Sequence, residues 1–419
     1  MKTKLSIIAL AIASGLCSTA YAYEASVDQN GDANTANVTQ TNERFGEGVS
    51  TAVVEQDGTA NTATLNQTLT GGTQARISST GTGNTATVNQ FDVWHANADV
   101  SQNGLQNTAN VNQNQAVSGM SFANGAEASV VQEGNSNNAT INQLGTNTGY
   151  HWADGVSASI EQINGANDNT ALVNQIDVSF RTTASITQDG EKGSYAETNQ
   201  TGEDHVATIS QVRGVENNAQ IKQTGSLETA SIYQAGATYF AKANVIQNGT
   251  QNIGNISQIN WADYATATIV QDGTFNVANV TQDGNNSTPF SNYGLVSVSQ
   301  NGDFNNADVL QFATRNSTAQ VTQTGSNHIA SVTQSDGSFL TAKVIQSDEF
   351  NTGTVVQSGE YNDATILQNG SLQVATITQS GFGTVAAHNV AITDQGGTNQ
   401  LASITQSGGA GNFAKVYQR

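Results

Sequence analysis

The sequence predicts an all-β fold, a β-solenoid of about sixteen two-strand rungs that stack in the cross-β manner and are joined by Gln and Asn ladders. Three observations predict this class. A short motif recurs from Ala25 to Gln418, its apolar positions alternate with a period of two, and a Gly–Asn turn separates many copies. A period of two belongs to β-strands, and a fixed repeat length is typical of solenoids.

Each predicted strand places Ala, then Val, Ile or Leu, then Gln at positions i, i+2 and i+4. One copy contains Ala63, Leu65 and Gln67 in this spacing. The residues between them are mostly Thr, Ser, Asn, Lys or Glu, which suit the solvent-facing side of a strand. The Gln side chain is therefore predicted to point inward together with the aliphatic side chains.

A buried Gln amide needs hydrogen-bond partners, and stacked copies of the same residue can supply them. If each repeat is one rung, every amide donates to one neighbouring rung and accepts from the other. We therefore predict an inward Gln ladder, interrupted at Ser79, with its clearest members at Gln29, Gln40, Gln56, Gln67, Gln90, Gln102, Gln113, Gln271, Gln282, Gln300, Gln311, Gln368, Gln379, Gln406 and Gln418.

The predicted turn reads Gln-x-Gly-x-x-Asn in many copies, for instance with Gly31 and Asn34. Gly adopts backbone angles that other residues resist, and Asn can bond to its own turn backbone. The spacing predicts a second ladder at the turns, built from Asn34, Asn61, Asn84, Asn107, Asn276, Asn305, Asn362 and Asn412.

The composition suits a thin repetitive core. The chain has 419 residues, of which 36% are hydrophobic and 11% are charged, and both fractions are low for a globular protein. We therefore predict one repeat unit over residues 23–419. The formal net charge of −20 disfavours nucleic acid and anionic membrane surfaces as partners, and the scattered acids favour solubility.

Residues 1–22 have the features of a signal peptide. Lys2 and Lys4 give a basic start, the segment 5–16 is apolar, and Ala20 and Ala22 form a small-x-small cleavage site before Tyr23. We therefore expect a secreted protein. No later stretch is long and apolar enough to predict a transmembrane segment.

The repeat changes phase part-way along the chain. Up to Gln143 the short 11-residue spacing follows odd-numbered strands, and from Gln200 it follows even-numbered strands. Two explanations stay open at this point. Either the edge of the solenoid that carries the short connections, here called the tight edge, switches sides near residues 163–200, or this segment is a local irregularity.

Both ends of the chain lie within the repeat, because Ala25 already starts a strand and only Arg419 follows Gln418. We expect uncapped rungs there, and an uncapped rung offers backbone N–H and C=O groups to another rung. This pattern predicts a structural subunit that polymerises with copies of itself.

The motif copies at 56–67 and 271–282 resemble the curlin repeat of the curli family, the subunits of bacterial extracellular amyloid fibres. The resemblance implies a β-solenoid that stacks end to end in a fibre of the biofilm matrix at the cell surface. It further implies a homopolymer, a nucleator subunit and an outer-membrane secretion pore as partners. It leaves open whether this chain is a major subunit or a nucleator.

A monomeric solenoid adhesin is the alternative function. Its candidate contact loop contains Tyr150, His151 and Trp152. Ice binding through outward Thr residues is disfavoured, because charged residues such as Glu161 and Lys222 occupy outward positions.

An enzyme is the least favoured class. The five His residues show no metal-ligand spacing, and no cluster of carboxylates or bases predicts a catalytic centre. We predict no catalytic residue, metal or cofactor.

Overall fold

The computed structural model describes residues 23–41, 48–116, 125–146, 155–177, 181–285 and 293–419. The predicted signal peptide at 1–22 and the loop residues Tyr150, His151 and Trp152 lie outside them. The described part of the chain is all-β, with thirty-two strands, and contains no helical segment able to cross a bilayer. It divides into two units, residues 1–209 and residues 210–419.

Unit 1 contains fourteen complete strands. They are β1 (Glu24–Asp32), β2 (Thr35–Thr41), β3 (Thr51–Thr59), β4 (Thr62–Thr68), β5 (Gln74–Thr82), β6 (Thr85–Phe91), β7 (Asn97–Leu105), β8 (Thr108–Ala116), β9 (Glu127–Asn135), β10 (Asn138–Thr146), β11 (Ser157–Asn167), β12 (Thr170–Ile176), β13 (Thr183–Asp189) and β14 (Tyr195–Glu203). Strand β15 (Val206–Val212) contains the division between the units.

Unit 2 contains the other seventeen strands. They are β16 (Asn218–Ser226), β17 (Thr229–Ala235), β18 (Lys242–Thr250), β19 (Ile253–Ile259), β20 (Thr266–Thr274), β21 (Val277–Asp283), β22 (Leu295–Asp303), β23 (Asn306–Arg315), β24 (Thr318–Ser326), β25 (Ile329–Ser338), β26 (Thr341–Glu349), β27 (Thr352–Glu360), β28 (Asn362–Ser371), β29 (Val374–Gly381), β30 (Asn389–Thr398), β31 (Leu401–Gly408) and β32 (Phe413–Gln418).

Within each unit the odd-numbered strands form one parallel sheet and the even-numbered strands form the other, here called the odd sheet and the even sheet. Each turn of the chain therefore adds one strand to each sheet, which is the arrangement of a two-strand β-solenoid. The strands pair in register, so that Gln56 lies opposite Ser79 and Gln247 lies opposite Gln271. The predicted fold class and strand number are confirmed.

The core consists of the inward residues of the motif. On β3, Ala52 and Val54 are fully buried and Gln56 is 3% exposed, while the residues between them reach the surface. The same alternation recurs along the other strands, as the period of two predicts. The inward position of Gln is thus confirmed.

Tight turns of two residues join many strands, and Gly precedes them for a steric reason. Between β3 and β4, Ala60 adopts a left-handed conformation with φ of 56°, and Asn61 is fully buried. Two positions earlier, Gly58 has φ of 121°, and a Cβ atom added there would lie 2.0 Å from the carbonyl oxygen of Gly81 on the next rung. A side chain at position 58 would therefore clash with the backbone of the next rung.

The side that carries the tight turns changes within unit 1, which decides between the two explanations of the phase change. Within unit 1 the last tight turn after an odd-numbered strand is Asp168–Asn169, between β11 and β12. The next tight turn is Asp204–His205, which follows the even-numbered strand β14. Regular strands lie on both sides of residues 163–200, so the segment is not a local irregularity. The predicted switch of the tight edge there is confirmed.

Candidate assembly site: the stacked amide ladders

The Gln side chains of unit 1 form one ladder inside each sheet. In the even sheet, Gln67 Nε2 donates to Gln90 Oε1 over 2.9 Å, and Gln90 repeats the bond to Gln113. In the odd sheet, Gln29 donates to Gln56, and Gln102 donates to Gln132. The even ladder as a whole runs through Gln40, Gln67, Gln90, Gln113, Gln143, Gln175 and Gln200.

Unit 2 contains the same two ladders. The donor–acceptor distance between Gln271 Nε2 and Gln300 Oε1 is 2.8 Å in the even sheet, and that between Gln282 and Gln311 is 2.9 Å in the odd sheet. The predicted members Gln368, Gln379, Gln406 and Gln418 also lie in these ladders. Every Gln that the sequence assigned to a ladder is therefore in one.

The second amide hydrogen of many of these Gln side chains goes to the backbone of the facing sheet. Gln67 Nε2 donates to the Thr51 carbonyl oxygen over 3.1 Å, and Gln271 Nε2 donates to that of Ile253 over 3.0 Å. Both amide hydrogens and the amide oxygen thus have partners, so burying the group costs little. The Gln side chains therefore hydrogen-bond adjacent rungs to each other and also link the two facing sheets.

The predicted interruption at Ser79 is present, but it is partial. The Ser79 hydroxyl donates to Gln102 Oε1 over 3.1 Å, which keeps one rung of the ladder. On its other side, Gln56 Nε2 donates to the Thr35 carbonyl oxygen. The shorter side chain therefore keeps the bond to one neighbouring rung.

The Asn residues of the turns also form ladders, with a connection that the sequence did not predict. In unit 1, Asn34 Oδ1 accepts from the backbone N–H of Asn61 over 3.0 Å, and Asn34 Nδ2 donates to the Gly58 carbonyl oxygen over 3.1 Å. Asn84 and Asn107 continue the same pattern. Each side chain thus bonds to the backbone of the next rung rather than to the next Asn side chain.

In unit 2 the predicted Asn residues fall into two separate columns. Asn276 and Asn305 lie at turns after even-numbered strands, and the backbone N–H of Asn305 donates to Asn276 Oδ1. Asn362 and Asn412 lie at connections after odd-numbered strands, where both contact Asn389. The sequence pattern grouped all four, but the structure brings them together only in pairs.

The sequence analysis missed the ionisable residues at turn-ladder positions, among them Glu228 and His328. His328 Nδ1 accepts from the backbone N–H of Asn351 over 3.3 Å, and its Nε2 lies 3.1 Å from the Thr324 carbonyl oxygen. Asn252 Nδ2 donates to the Glu228 carboxylate over 3.2 Å. Each follows its Gly by three residues, as the turn Asn does, so the repeat spacing could have identified both.

Burial in the turn changes the proton affinity of both groups. It raises the pKa of Glu228 to about 7, against hydrogen bonds from Asn252 and Thr224 that favour the charged carboxylate. Burial lowers the pKa of His328 below its usual 6.5. Both shifts favour the neutral form, which matches the neutral Asn amide that most other turns place here.

A further Asn column lies on the outer side of the even sheet in unit 1. Its members each precede a ladder Gln and are Asn66, Asn89, Asn112, Asn142, Asn174 and Asn199. Each Nδ2 before that of Asn199 donates to the next Oδ1 over 2.7 to 2.9 Å. The sequence analysis treated these positions only as polar. The recurring Asn-Gln pair was the signal for this column.

Aromatic rings stack between rungs at the edges of unit 2. Phe275 and Phe304 stack with ring centroids 4.9 Å apart and planes 4° apart. On the other edge, Tyr264 stacks between Phe240 and Tyr293 at centroid distances of 5.0 Å. These five rings are 37% to 55% exposed, so they form ridges open to solvent.

The comparison with protein families agrees with the ladder geometry. The family model described as "Curlin associated repeat" matches residues 295–325 and residues 351–382. The chain contains curlin repeats in these two segments. Both matched segments lie in unit 2. The first covers β22, β23 and all but the last residue of β24, and the second covers β27, β28 and β29, with Asn305 and Asn362 at the first connection of each. No curated protein matches the chain.

The curlin repeat and the solenoid fold are those of a structural protein. The described residues contain no group of three or more His, Cys, Asp or Glu side chains placed to hold a metal ion. What the geometry offers is a periodic set of hydrogen-bond donors and acceptors, which are groups that another rung can pair with.

Proposed function

We propose that this curlin-repeat protein is a secreted structural subunit of an extracellular curli-like amyloid fibre. It assembles by end-to-end stacking of solenoid rungs, and the fibre contributes to the biofilm matrix and to surface adhesion. The in-register Gln ladder carries the proposal, because a bond that joins rungs within the chain is equally able to join rungs of two chains. No catalytic role is proposed.

The first and last strands of the repeat offer complementary groups. Gln29 and Gln40 donate to Gln56 and Gln67, and their own Oε1 atoms have no partner among the described residues. Gln418 accepts from Gln395 and donates one amide hydrogen to the Leu401 carbonyl oxygen, which leaves its second hydrogen. Acceptors on β1 and β2 thus match donors on β31 and β32 of another copy.

Apolar packing would accompany these bonds. Val27 on β1 is an inward residue of the motif, yet it is only half-buried, whereas Val54 on the next rung is fully buried. An added rung would cover Val27 as β5 covers β3. Head-to-tail contacts of this kind do not close on themselves, so they generate filaments.

The test uses the predicted mature chain, residues 23–419, and the variant Val27→Lys. A Lys ammonium in the inward position of β1 has no partner in an incoming rung, so we expect filament growth to fall at least tenfold by electron microscopy and amyloid-dye binding. Ser26→Lys on the outer side of the same strand is the matched control and should grow normally. A wild-type chain that stays monomeric for days at micromolar concentration would contradict the proposal.

We further propose a nucleator subunit and an outer-membrane secretion pore as partners, on the basis of the curlin repeat. A cell that lacks this chain should lose extracellular fibres that stain with amyloid dye, and added purified protein should restore them. Loss of the pore should leave the chain inside the cell. Fibres that persist in the deletion strain would show that another subunit builds them.

A second candidate function is adhesion by a monomeric solenoid. The exposed ridge of Phe240, Tyr264 and Tyr293 favours it, because three stacked aromatic rings open to solvent offer a continuous apolar contact surface. Replacing Tyr264 with Ser should reduce surface binding while filament growth continues. Loss of both properties together would assign the ridge to the fibre instead.

A further inference from the structure

Charge is distributed unequally between the two sheets of unit 1. Its odd-numbered strands carry ten acidic residues and Arg76, the acids being Glu24, Asp28, Asp32, Glu55, Asp57, Asp99, Glu127, Glu133, Glu161 and Asp189. The even-numbered strands from β2 to β12 carry no charged residue or His. The odd sheet of unit 1 therefore carries many acidic residues, whereas the even sheet is neutral from β2 to β12.

The neutral face is defined here as the outward residues of β2, β4, β6, β8, β10 and β12. These are largely Thr and Asn, with Leu172, Phe91, Leu144 and Ile176 among the exceptions. The residues are half-buried or exposed, which is usual for side chains on an open sheet. The sequence analysis disfavoured a surface of outward Thr residues because Glu161 and Lys222 occupy outward positions. That argument was wrong for this sheet, because Glu161 lies on the odd sheet and Lys222 lies in unit 2.

The Asn column gives the neutral face a regular pattern of hydrogen-bond donors and acceptors. Each bond from Asn89 to Asn112 and from Asn112 to Asn142 uses one amide hydrogen and one acceptor position. Each amide keeps one hydrogen and one lone pair outside the column, so the column is able to donate and accept in equal measure. A surface of this kind is complementary to a copy of itself.

We propose that the neutral face is a lateral interface that packs against the neutral face of a second copy of this chain. The net charge of −20 makes other close approaches between copies repulsive, whereas this face carries no charge. Identical stacked side chains that interdigitate between two facing sheets form dry cross-β packing, and Asn ladders add to its stability. The proposal concerns side-by-side pairing and does not depend on end-to-end growth.

The available area is sufficient for a stable pair. Six strands at about 4.8 Å spacing and seven residues at about 3.3 Å rise give a face of about 29 Å by 23 Å. Such a pair would bury about 650 Å² on each copy and about 1,300 Å² in total, which lies within the range of specific interfaces.

The neutral face ends at a carboxylate. On β14, Glu197 accepts hydrogen bonds from Tyr195 and from Asn199, the last member of the Asn column. Like charges that face each other across an interface are unfavourable, so Glu197 limits the pairing to the strands before it. The interface thus has a defined boundary within unit 1.

The test places charge in the centre of the neutral face with the double variant Thr87→Glu and Thr140→Glu. The two positions lie on β6 and β10, with β8 between them, and their nearest outward neighbours are uncharged. The matched control is Ser101→Glu and Ser159→Glu, which adds the same charge to β7 and β11 of the odd sheet. Lateral pairing is measured on the full predicted mature chain as mass per unit length of filaments, or as dimer mass by sedimentation where filaments do not form.

We expect the wild type and the odd-sheet control to have twice the mass per unit length, or twice the sedimenting mass, of the neutral-face variant. Circular dichroism verifies that all three chains keep their β-structure. A wild type that consists of single solenoids, or a neutral-face variant that still pairs, would overturn the proposal. So would a wild type that stays single but binds insoluble cellulose through this face, because the occupant would then be a neutral polysaccharide.

Discussion

In unit 1 the first residue of each tight turn is small or polar, as at Ala60 and Ser136, whereas in unit 2 it is aromatic at Phe275, Phe304 and Phe350. All five residues have left-handed backbone angles, which a bulky side chain adopts at a cost of about 1–3 kcal/mol. Stacking of Phe275 on Phe304 offsets part of that cost. The inward Gln ladders are nevertheless alike in the two units.

The difference teaches which part of the repeat the fold requires. The positions that both units share are the inward aliphatic residues, the ladder Gln and the turn Gly, and each contacts the equivalent residue of the next rung. The positions that differ lie at turns or on outer faces. We therefore expect end-to-end assembly to depend on the shared positions, whereas lateral contacts and contacts with other surfaces depend on the variable ones.

The largest expected effect is at the turn Gly of unit 1. Gly58→Ala combines a φ of 121° with a Cβ atom 2.0 Å from a backbone oxygen, so we expect the stability of the surrounding rungs to fall by about 4 kcal/mol. Gly83→Ala is the control, because its φ of 68° matches that of Ala60 and its added Cβ atom lies 3.6 Å from Gln106. Hydrogen exchange of β3 to β6 should show a large loss for the first variant and a small one for the second.

The next effect tests whether the ladders of the two units are equivalent. Gln67→Ala in unit 1 and Gln271→Ala in unit 2 each leave an amide of the neighbouring rung without its partner, so each should cost about 3 kcal/mol. Thr268→Ala on the outer side of β20 is the control and should change little. Local hydrogen exchange reports the loss, because solenoids unfold in parts. A large loss in one unit alone would show that the ladders are not equivalent.

Glu228 distinguishes unit 2 from the turn ladder of unit 1, whose described members from Asn34 to Asn169 are neutral Asn side chains. The folded pKa is raised to about 7 from 4.5, so the folded state binds the proton more tightly than the unfolded state. The stability that Glu228 contributes is present below pH 4.5 and is lost as the pH rises through 7.

Glu228→Gln should therefore stabilise unit 2 by about 1–2 kcal/mol at pH 7.5 and have little effect at pH 4, with solvent screening taken into account. The matched control is Glu127→Gln, an exposed carboxylate at the start of β9. Denaturant melting at the two pH values verifies the difference. An equal effect of Glu228→Gln at both pH values would contradict the role assigned to burial.

The smallest expected effect is a gain at Ser79. Gln lies at this position in the other odd-numbered strands of unit 1, and unit 2 has an unbroken column of Gln. Ser79→Gln should add the bond from Gln56 and stabilise β3 to β7 by about 1 kcal/mol. Slower hydrogen exchange in these strands is the expected result. Faster exchange would show that the core of unit 1 has closed around the smaller side chain.

The sequence was sufficient to predict the features that repeat. Strand number, inward Gln, a break in the ladder at Ser79 and the change of the edge that carries the tight turns all follow from the repeat, because each depends only on which residues recur in register. That the Ser79 hydroxyl keeps one bond of the ladder did not follow from it. The turn Asn bonds were predicted less well, since spacing cannot distinguish a bond to the next Asn side chain from one to the next backbone. Asn276 and Asn305 are separated from Asn362 and Asn412 because the first two follow even-numbered strands and the last two follow odd-numbered strands.

Features that depend on which sheet a strand joins were missed. Glu161 and Lys222 both occupy outward positions, but only the assignment of strands to sheets shows that neither lies on the neutral face of unit 1. The Asn column from Asn66 to Asn199 and the stacked rings of unit 2 were missed for this reason too. Their members are more than twenty residues apart in sequence and become neighbours only through the solenoid turn.

The central claim is that the ladder inside the chain continues between chains. A cryo-electron microscopy structure of the filaments tests it most directly, through the junction between two copies. We expect the rung spacing of about 4.8 Å to continue across the junction, with Gln406 or Gln418 of one copy within hydrogen-bond distance of Gln29 or Gln40 of the next. Filaments in which the junction uses other surfaces, or in which the rungs are interrupted there, would contradict the account.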